Sequence, residues 1–154
     1  MATKKIHLKI VTPERVILEE LVDQVSLPTT EGEITVLPHH ISLIASLKSG
    51  DIVAMNAGEY IPMAVVGGFI EIKPTENPEP SDAATQVAVL ADFAEHVAEL
   101  SDDAVEKAKA KAAELQELQK KGEVVDFEHF EAELEKSLNR VKIADKWRSK
   151  KYRK

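Results

Sequence analysis

TQVAVLADFAEHVAELSDDAVEKAKAKAAEL, Thr85–Leu115, changes its apolar period halfway along. At its start Val87 and Val89 alternate with other residues, the period-two pattern of a strand with one buried face. From Ser101 the apolar residues fall three and four apart: Val105, Ala108, Ala112, Leu115 and then Leu118 share one helical stripe. A strand-forming half therefore meets a helix-forming half near residue 98, and the expected domains are 1–98 and 99–154.

Toward the N-terminus the strand signal continues: IHLKIV, RVILEELV, QVSLPT, EITVL, DIVAMNAG, EYIPMAVV and GFIEIKP are short and β-rich. Ile6, Leu8 and Ile10 alternate, whereas VILEELV and MAVVGGFIEI are apolar on both faces, as strands between two layers are. Turn-forming residues separate them at Pro28–Gly32, Ala57-Gly58, Gly67-Gly68 and Pro74–Pro80. Such short connections suit antiparallel hairpins and leave no room for crossover helices. The first half is expected to be a compact antiparallel β-sandwich.

Toward the C-terminus the signals are those of two helices. Ser101 is placed to cap the first, Asp102 and Asp103 suit the positive end of its dipole, and Leu100 can staple to Val105. Glu117 precedes Lys120 and Lys121 by three and four residues, and Gly122 stands where glycine ends helices. After KGEVV, Asp126 caps a second helix, Val125 staples to Phe130, and Phe127, Phe130, Leu134, Leu138, Val141, Ala144 and Trp147 form its apolar face. The expected fold is α+β: an N-terminal antiparallel β-sandwich followed by a C-terminal antiparallel two-helix hairpin. At about 1.5 Å per residue, a helix from Phe127 to Lys150 reaches roughly 36 Å.

Composition narrows the class. The 154 residues are 44% hydrophobic, enough for a core, with no apolar run near the length of a membrane span. Without a secretory or transit-type start, MATKKIHLKIV is expected in a cytosol-like compartment, and the lack of cysteine excludes disulfide and thiolate-metal chemistry. Charge is divided unevenly. Lys136–Lys154 carry nine Lys or Arg against Asp145 alone, so a net −7 protein ends in a +8 stretch behind a −15 remainder. Phosphates, an anionic membrane and an acidic protein surface are all partners such a stretch could meet.

Other chemistry is not assembled. His39 and His40 are adjacent on an extended chain and point apart, and none of His7, His96 and His129 completes a metal-ligand spacing. Gly67-Gly68 is followed by neither Gly-Lys-Ser/Thr nor a helix signal, so it reads as a hairpin turn rather than a phosphate cradle. Carboxylates on the first helix alternate with lysines, as on any solvated face. No nucleophile has a base beside it, and neither a cofactor nor a catalytic residue is expected. A nucleic-acid-binding module could use the same basic helix, but the −15 remainder repels phosphates and only seven aromatics are present, so no nucleic-acid partner is expected. The bland alternative for the basic end is a frayed, solvated terminus.

EGEITVLPHHISLIASLKSGDI, Glu31–Ile52, resembles the signature of the epsilon subunit of F-type ATP synthases, in which Glu-Gly-x-x-x-x-x-Pro-x-His leads into spaced leucines and a glycine. VVGGFIEI, Val65–Ile72, is similar to that family's Gly-Gly strand, and VAVLAD, Val87–Asp92, to the strand that precedes its two-helix hairpin. The resemblance runs over nearly the whole chain in the family's order. It implies a non-catalytic central-stalk subunit of a proton- or sodium-translocating ATP synthase, joining the gamma subunit to the c-subunit ring. It implies a peripheral place without membrane insertion, on the cytoplasmic face of a bacterial plasma membrane or the stromal face of a thylakoid.

It also implies that the hairpin either lies folded on the sandwich or extends beside gamma into the catalytic head of alpha and beta subunits. There Lys136, Arg140, Lys142, Lys146, Trp147, Arg148, Lys150 and Lys151 would meet an acidic segment of beta and block ATP hydrolysis, Trp147 serving as an interface anchor. Ring contacts by the same resemblance are Glu31, Gly32, Glu33 and His40. Two departures stand out. His39-His40-Ile41-Ser42 replaces Gly-His-x-Pro, which is expected to alter that turn. The ATP-binding Leu/Ile-Asp-x-x-Arg-Ala motif of some members is absent, since Leu100 is followed by Ser101 and Ala104, although Lys136 and Arg140 keep their spacing; nucleotide binding is not expected. KPTENPEPSDAATQ, Lys73–Gln86, is longer than usual and reads as a solvated loop.

Overall fold

A computed structural model describes residues 3–76, 83–122 and 126–151, with Phe127 and 148–151 described by backbone alone. The chain divides into two units, Met1–His96 and Val97–Lys154.

The first unit is a β-sandwich. Its strands are β1 (Lys5–Val11), β2 (Val16–Val22), β3 (Gln24–Thr29), β4 (Gly32–Val36), β5 (Leu43–Ser46), β6 (Gly50–Asn56), β7 (Glu59–Pro74) and β8 (Ala83–His96). They pair in the order β2-β1-β8-β7-β6-β3-β4, with β5 added to β7. Alternation does what the sequence pattern requires: Ile6, Leu8 and Ile10 of β1 and Val87, Val89 and Ala91 of β8 point inward, meeting Val25, Leu27, Ile52, Met63, Ile70 and Ile72 in one core.

Two features differ from the sequence reading. Ladders are antiparallel throughout except one, for β1 runs parallel to β8, with Ile6 opposite Thr85 and Ile10 opposite Val89. The distance in sequence explains how this arises without a crossover helix, since the whole sandwich forms the connection between them. Second, Gly67-Gly68 is not a hairpin turn. EYIPMAVV and GFIEIKP are one 16-residue strand, and its register against β8 passes unshifted through the glycines, from Val66 opposite Phe93 to Gly68 opposite Ala91. Both glycines have positive φ, 59° and 117°. The bend lets one strand serve two partners, β6 over Gly50–Asn56 before it and β5 over Leu43–Ser46 after it. A β-carbon on Gly68 would stand 1.9 Å from the Leu90 carbonyl oxygen, a contact only glycine avoids.

One polar knot ties a corner of the sandwich. Lys5 Nζ donates to Asn56 Oδ1 at 2.7 Å and lies 2.9 Å from Asp23 Oδ1, while the Ala57 amide donates to Asp23 Oδ2 at 2.8 Å. Ala57 and Gly58, at φ 51° and 81°, form the two-residue turn that joins β6 to β7. The Lys5 hydrogen bond, followed by that of the Ala57 amide, holds the Asp23 carboxyl below its usual range. A depressed carboxyl contributes stability above its unfolded-state value, and that contribution is lost only as pH falls through the lowered one.

The second unit holds a short 3₁₀ turn (Val97–Glu99), α1 (Asp102–Lys121) and α2 (Phe127–Lys151). Ser101 caps α1 through the Ala104 amide, and Gly122 ends it in the left-handed conformation. Asp126 Oδ1 accepts the His129 amide at 3.1 Å, and Lys121 reaches Glu117 at 3.9 Å. The staple expected of Val125 lies outside the described residues. α1 buries Val105, Ala108, Ala112 and Leu115, as its stripe requires. α2 departs from its stripe: Leu138 is 44% exposed, whereas Ile143 is 1% exposed and Ser137 and Asn139 are buried. The buried arc of α2 is wider than one stripe, so its largest apolar side chains do not by themselves mark the inner side.

Candidate interaction surfaces

The outer side of β2, β1, β8, β7 and β5 carries a row that no single strand reveals. Cross-strand partners point to the same face, and the register places Val16 opposite Val11, Val11 opposite Leu90, Leu90 opposite Phe69 and Phe69 opposite Ser46. Val16, Leu90 and Phe69 are each more than half exposed, and Ile44, one row along, is 74% exposed. The adjoining row, Glu19, Lys9, Ala88, Glu71 and Ile44, alternates charge around the small Ala88. An exposed apolar line bordered by paired charges has the composition of a protein-docking face.

The resemblance-derived ring residues fall into two places. Glu31, Gly32 and Glu33 sit together at the β3–β4 turn, where Thr29 Oγ1 accepts the Glu31 amide at 3.2 Å and donates to the Gly32 carbonyl. Gly32 adopts φ 120°, which explains glycine at that point. His40 is at the other end of β4, in the loop 37–42. Gly32 and Glu33 begin β4, and its other three residues, Ile34, Thr35 and Val36, at about 3.3 Å each, put roughly 10 Å of strand between them and that loop.

That loop keeps a glycine-like conformation without glycine. His39 has φ 69°, in the left-handed region that histidine enters more readily than most residues. Its amide donates to Thr85 Oγ1 at 2.8 Å, the His40 amide donates to the Leu37 carbonyl at 3.2 Å, and His40 Nδ1 lies 2.6 Å from the Ile41 carbonyl. Leu37 and Ile41 stand out on either side. The turn that lacks the family's glycine is held by a partner from β8.

The basic residues lie on α2. Lys142 is exposed, and Lys136, Arg140, Lys146 and Trp147 are half-buried. Arg148, Lys150 and Lys151 continue the helix, their side chains outside the described residues. A shallow dip of about 120 Å³ on the outer sheet face is bordered by His7, Lys9, Glu71, Lys73 and Gln86. Glu71 lies 3.7 Å from Lys73 there, and Glu19 lies 3.1 Å from His7. Among the described residues no group of three or more His, Asp or Glu could hold a metal ion, and no helix is long and apolar enough to cross a membrane.

The β-sandwich domain of the ATP synthase delta/epsilon chain matches residues 5–97, and the chain belongs to that family. Its likeness extends beyond the sandwich to whole epsilon chains. It is 35% identical to the ATP synthase epsilon chain of Desulforamulus reducens over 139 residues, 90% of this chain and 96% of that one. With the epsilon chain of Chloroflexus aggregans identity is 37%, over 90% and 91% of the two chains. A chain in the Euglena gracilis mitochondrial ATP synthase assembly of OSCP, F1 and c-ring shares the fold, with TM-score 0.57 and 20% identity over 99% of this chain and 84% of that one. Family membership makes the protein a non-catalytic subunit of the ATP synthase complex rather than an enzyme in its own right.

Proposed function

We propose that this chain is a central-stalk subunit that links the gamma subunit to the c-subunit ring of a proton- or sodium-translocating ATP synthase, and that its C-terminal helix restrains ATP hydrolysis. The observation that carries the reading is a +8 terminal stretch, most of it on α2, in a chain similar to epsilon chains over nine-tenths of its length. Gamma docks on the row Val16, Val11, Leu90 and Phe69. The rotor ring is met along the β4 edge, by Glu31, Gly32 and Glu33 at one end and His40 at the other. The protein is thereby held at the membrane through its partners, without inserting.

Restraint comes from Lys136, Arg140, Lys142, Lys146, Trp147, Arg148, Lys150 and Lys151 meeting an acidic segment of the beta subunits, with alpha alongside. Magnitudes support a switch rather than a fixed clamp. Moving a two-state element from 1:99 to 99:1 takes about 5.5 kcal/mol of differential binding, and exposed ion pairs contribute roughly 0.2–1 kcal/mol each. Eight net charges are about sufficient.

Replacing Lys146, Arg148, Lys150 and Lys151 together with Gln in the assembled enzyme is expected to raise ATP hydrolysis several-fold. Added salt should raise it in the native enzyme too, because exposed pairs are screened beyond a Debye length of about 8 Å. Turnover indifferent to both the substitutions and the salt would remove charge as the basis of restraint.

A further inference from the structure

We propose that Thr85 is a positioning residue for the rotor contact: its hydroxyl holds the loop 37–42 in the form that docks. The proposal rests on the reading of His40 and its loop as a rotor contact.

Thr85 occupies an inward position of β8, in phase with Val87 and Val89, opposite Ile6 of β1 and Pro74 of β7. It is 0% exposed among apolar neighbours. A hydroxyl there is costly to bury unless it is hydrogen-bonded, and valine would fill the same volume without that cost. The bond that satisfies it is to the loop, where Oγ1 accepts the His39 amide at 2.8 Å. His39 is also the loop residue with the disfavoured backbone, φ 69°. A side chain with a β-carbon leaves that conformation readily unless the surroundings fix it. Thr85 supplies the fixing from a rigid strand 46 residues away in sequence.

What is fixed is a tip made for contact. Leu37 is 54% and Ile41 77% exposed, and the hydrogen bonds from His40 to the Leu37 and Ile41 carbonyls tie the two into one turn. A free loop would lose backbone freedom on docking; in a held loop that freedom is already restricted. If release from Thr85 leaves the docking form populated one-tenth of the time, apparent affinity falls about tenfold.

The test compares Thr85→Val, which keeps shape and removes the hydroxyl, with Thr85→Ser, which keeps the hydroxyl. Binding of each full chain to a purified rotor of gamma and c ring is measured, together with hydrogen exchange of the His39–Ser42 amides. Thr85→Val should bind about tenfold more weakly and exchange faster in the loop alone, and Thr85→Ser should stay near native in both. Native-like binding and loop exchange by Thr85→Val would overturn the proposal, as would equal losses by both variants, which would assign Thr85 to packing. Failure of the native chain to bind the rotor would end the reading of the loop as a rotor contact and the docking role with it. Loop exchange in that case still reports separately whether Thr85 holds the turn.

Discussion

Gly68→Ala is expected to destabilise the fold severely. The β-carbon it adds falls 1.9 Å from the Leu90 carbonyl oxygen and 2.9 Å from Ala91 Cα, and both belong to the backbone of a paired strand that cannot step aside. φ at 117° adds backbone strain that no L side chain tolerates well. The expected loss is about 4 kcal/mol or more, a large part of the roughly 5–15 kcal/mol that holds a domain of this kind together. Gly67→Ala is the internal comparison. Its β-carbon meets Asp92 Oδ2 at 2.4 Å, the end of a side chain that can turn away, at φ 59°. That variant is expected to fold with a loss of about 1–2 kcal/mol. Urea denaturation followed by circular dichroism separates them: a modestly lowered midpoint for Gly67→Ala and a far lower one, or no folded baseline, for Gly68→Ala. A Gly68→Ala protein with a native midpoint would show that β7 does not need its bend.

Replacing Phe69 and Leu90 together with Thr leaves the sandwich standing and detaches it from gamma. Both side chains are more than half exposed and adjacent across the β7–β8 ladder, so their removal opens no cavity. Threonine is β-branched, a shape that strands favour. In a docked interface each would bury a large apolar side chain, a contribution of about 1.5–3 kcal/mol. Loss of both therefore weakens binding roughly a hundredfold or more. Titration of gamma with the variant and native chains measures the ratio, and thermal unfolding of the variant reads its fold. Equal affinities would place gamma on some other face.

The same pair of residues shows where sequence reading stops. The sandwich and hairpin are legible because their periods, two and then about 3.6, are local properties of the chain. Ser101 and Gly122 are legible as helix ends for the same reason, since a cap involves residues three or four apart. The row Val16, Val11, Leu90 and Phe69 is not: each is one outward residue in a separate strand, and only pairing register gathers them. Gly67-Gly68 misleads because two glycines suit a turn equally well, and the backbone contact that requires Gly68, the Leu90 carbonyl, lies far along the chain. Likewise the bond from the His39 amide to Thr85 explains how the turn survives without its glycine, and its span of 46 residues leaves no local trace. Ile143 was hidden by a different ambiguity, for a helix buried over a wide arc has more than one plausible inner side.

Each role proposed for this chain requires membership of a rotor. Full-length native chain mixed with purified gamma and c ring, then resolved by size-exclusion chromatography with mass determination, measures this most directly. One copy per gamma in a complex that also contains the ring is the predicted result. A chain that elutes alone at micromolar concentration, with gamma and the ring joined or apart but without it, would contradict the account.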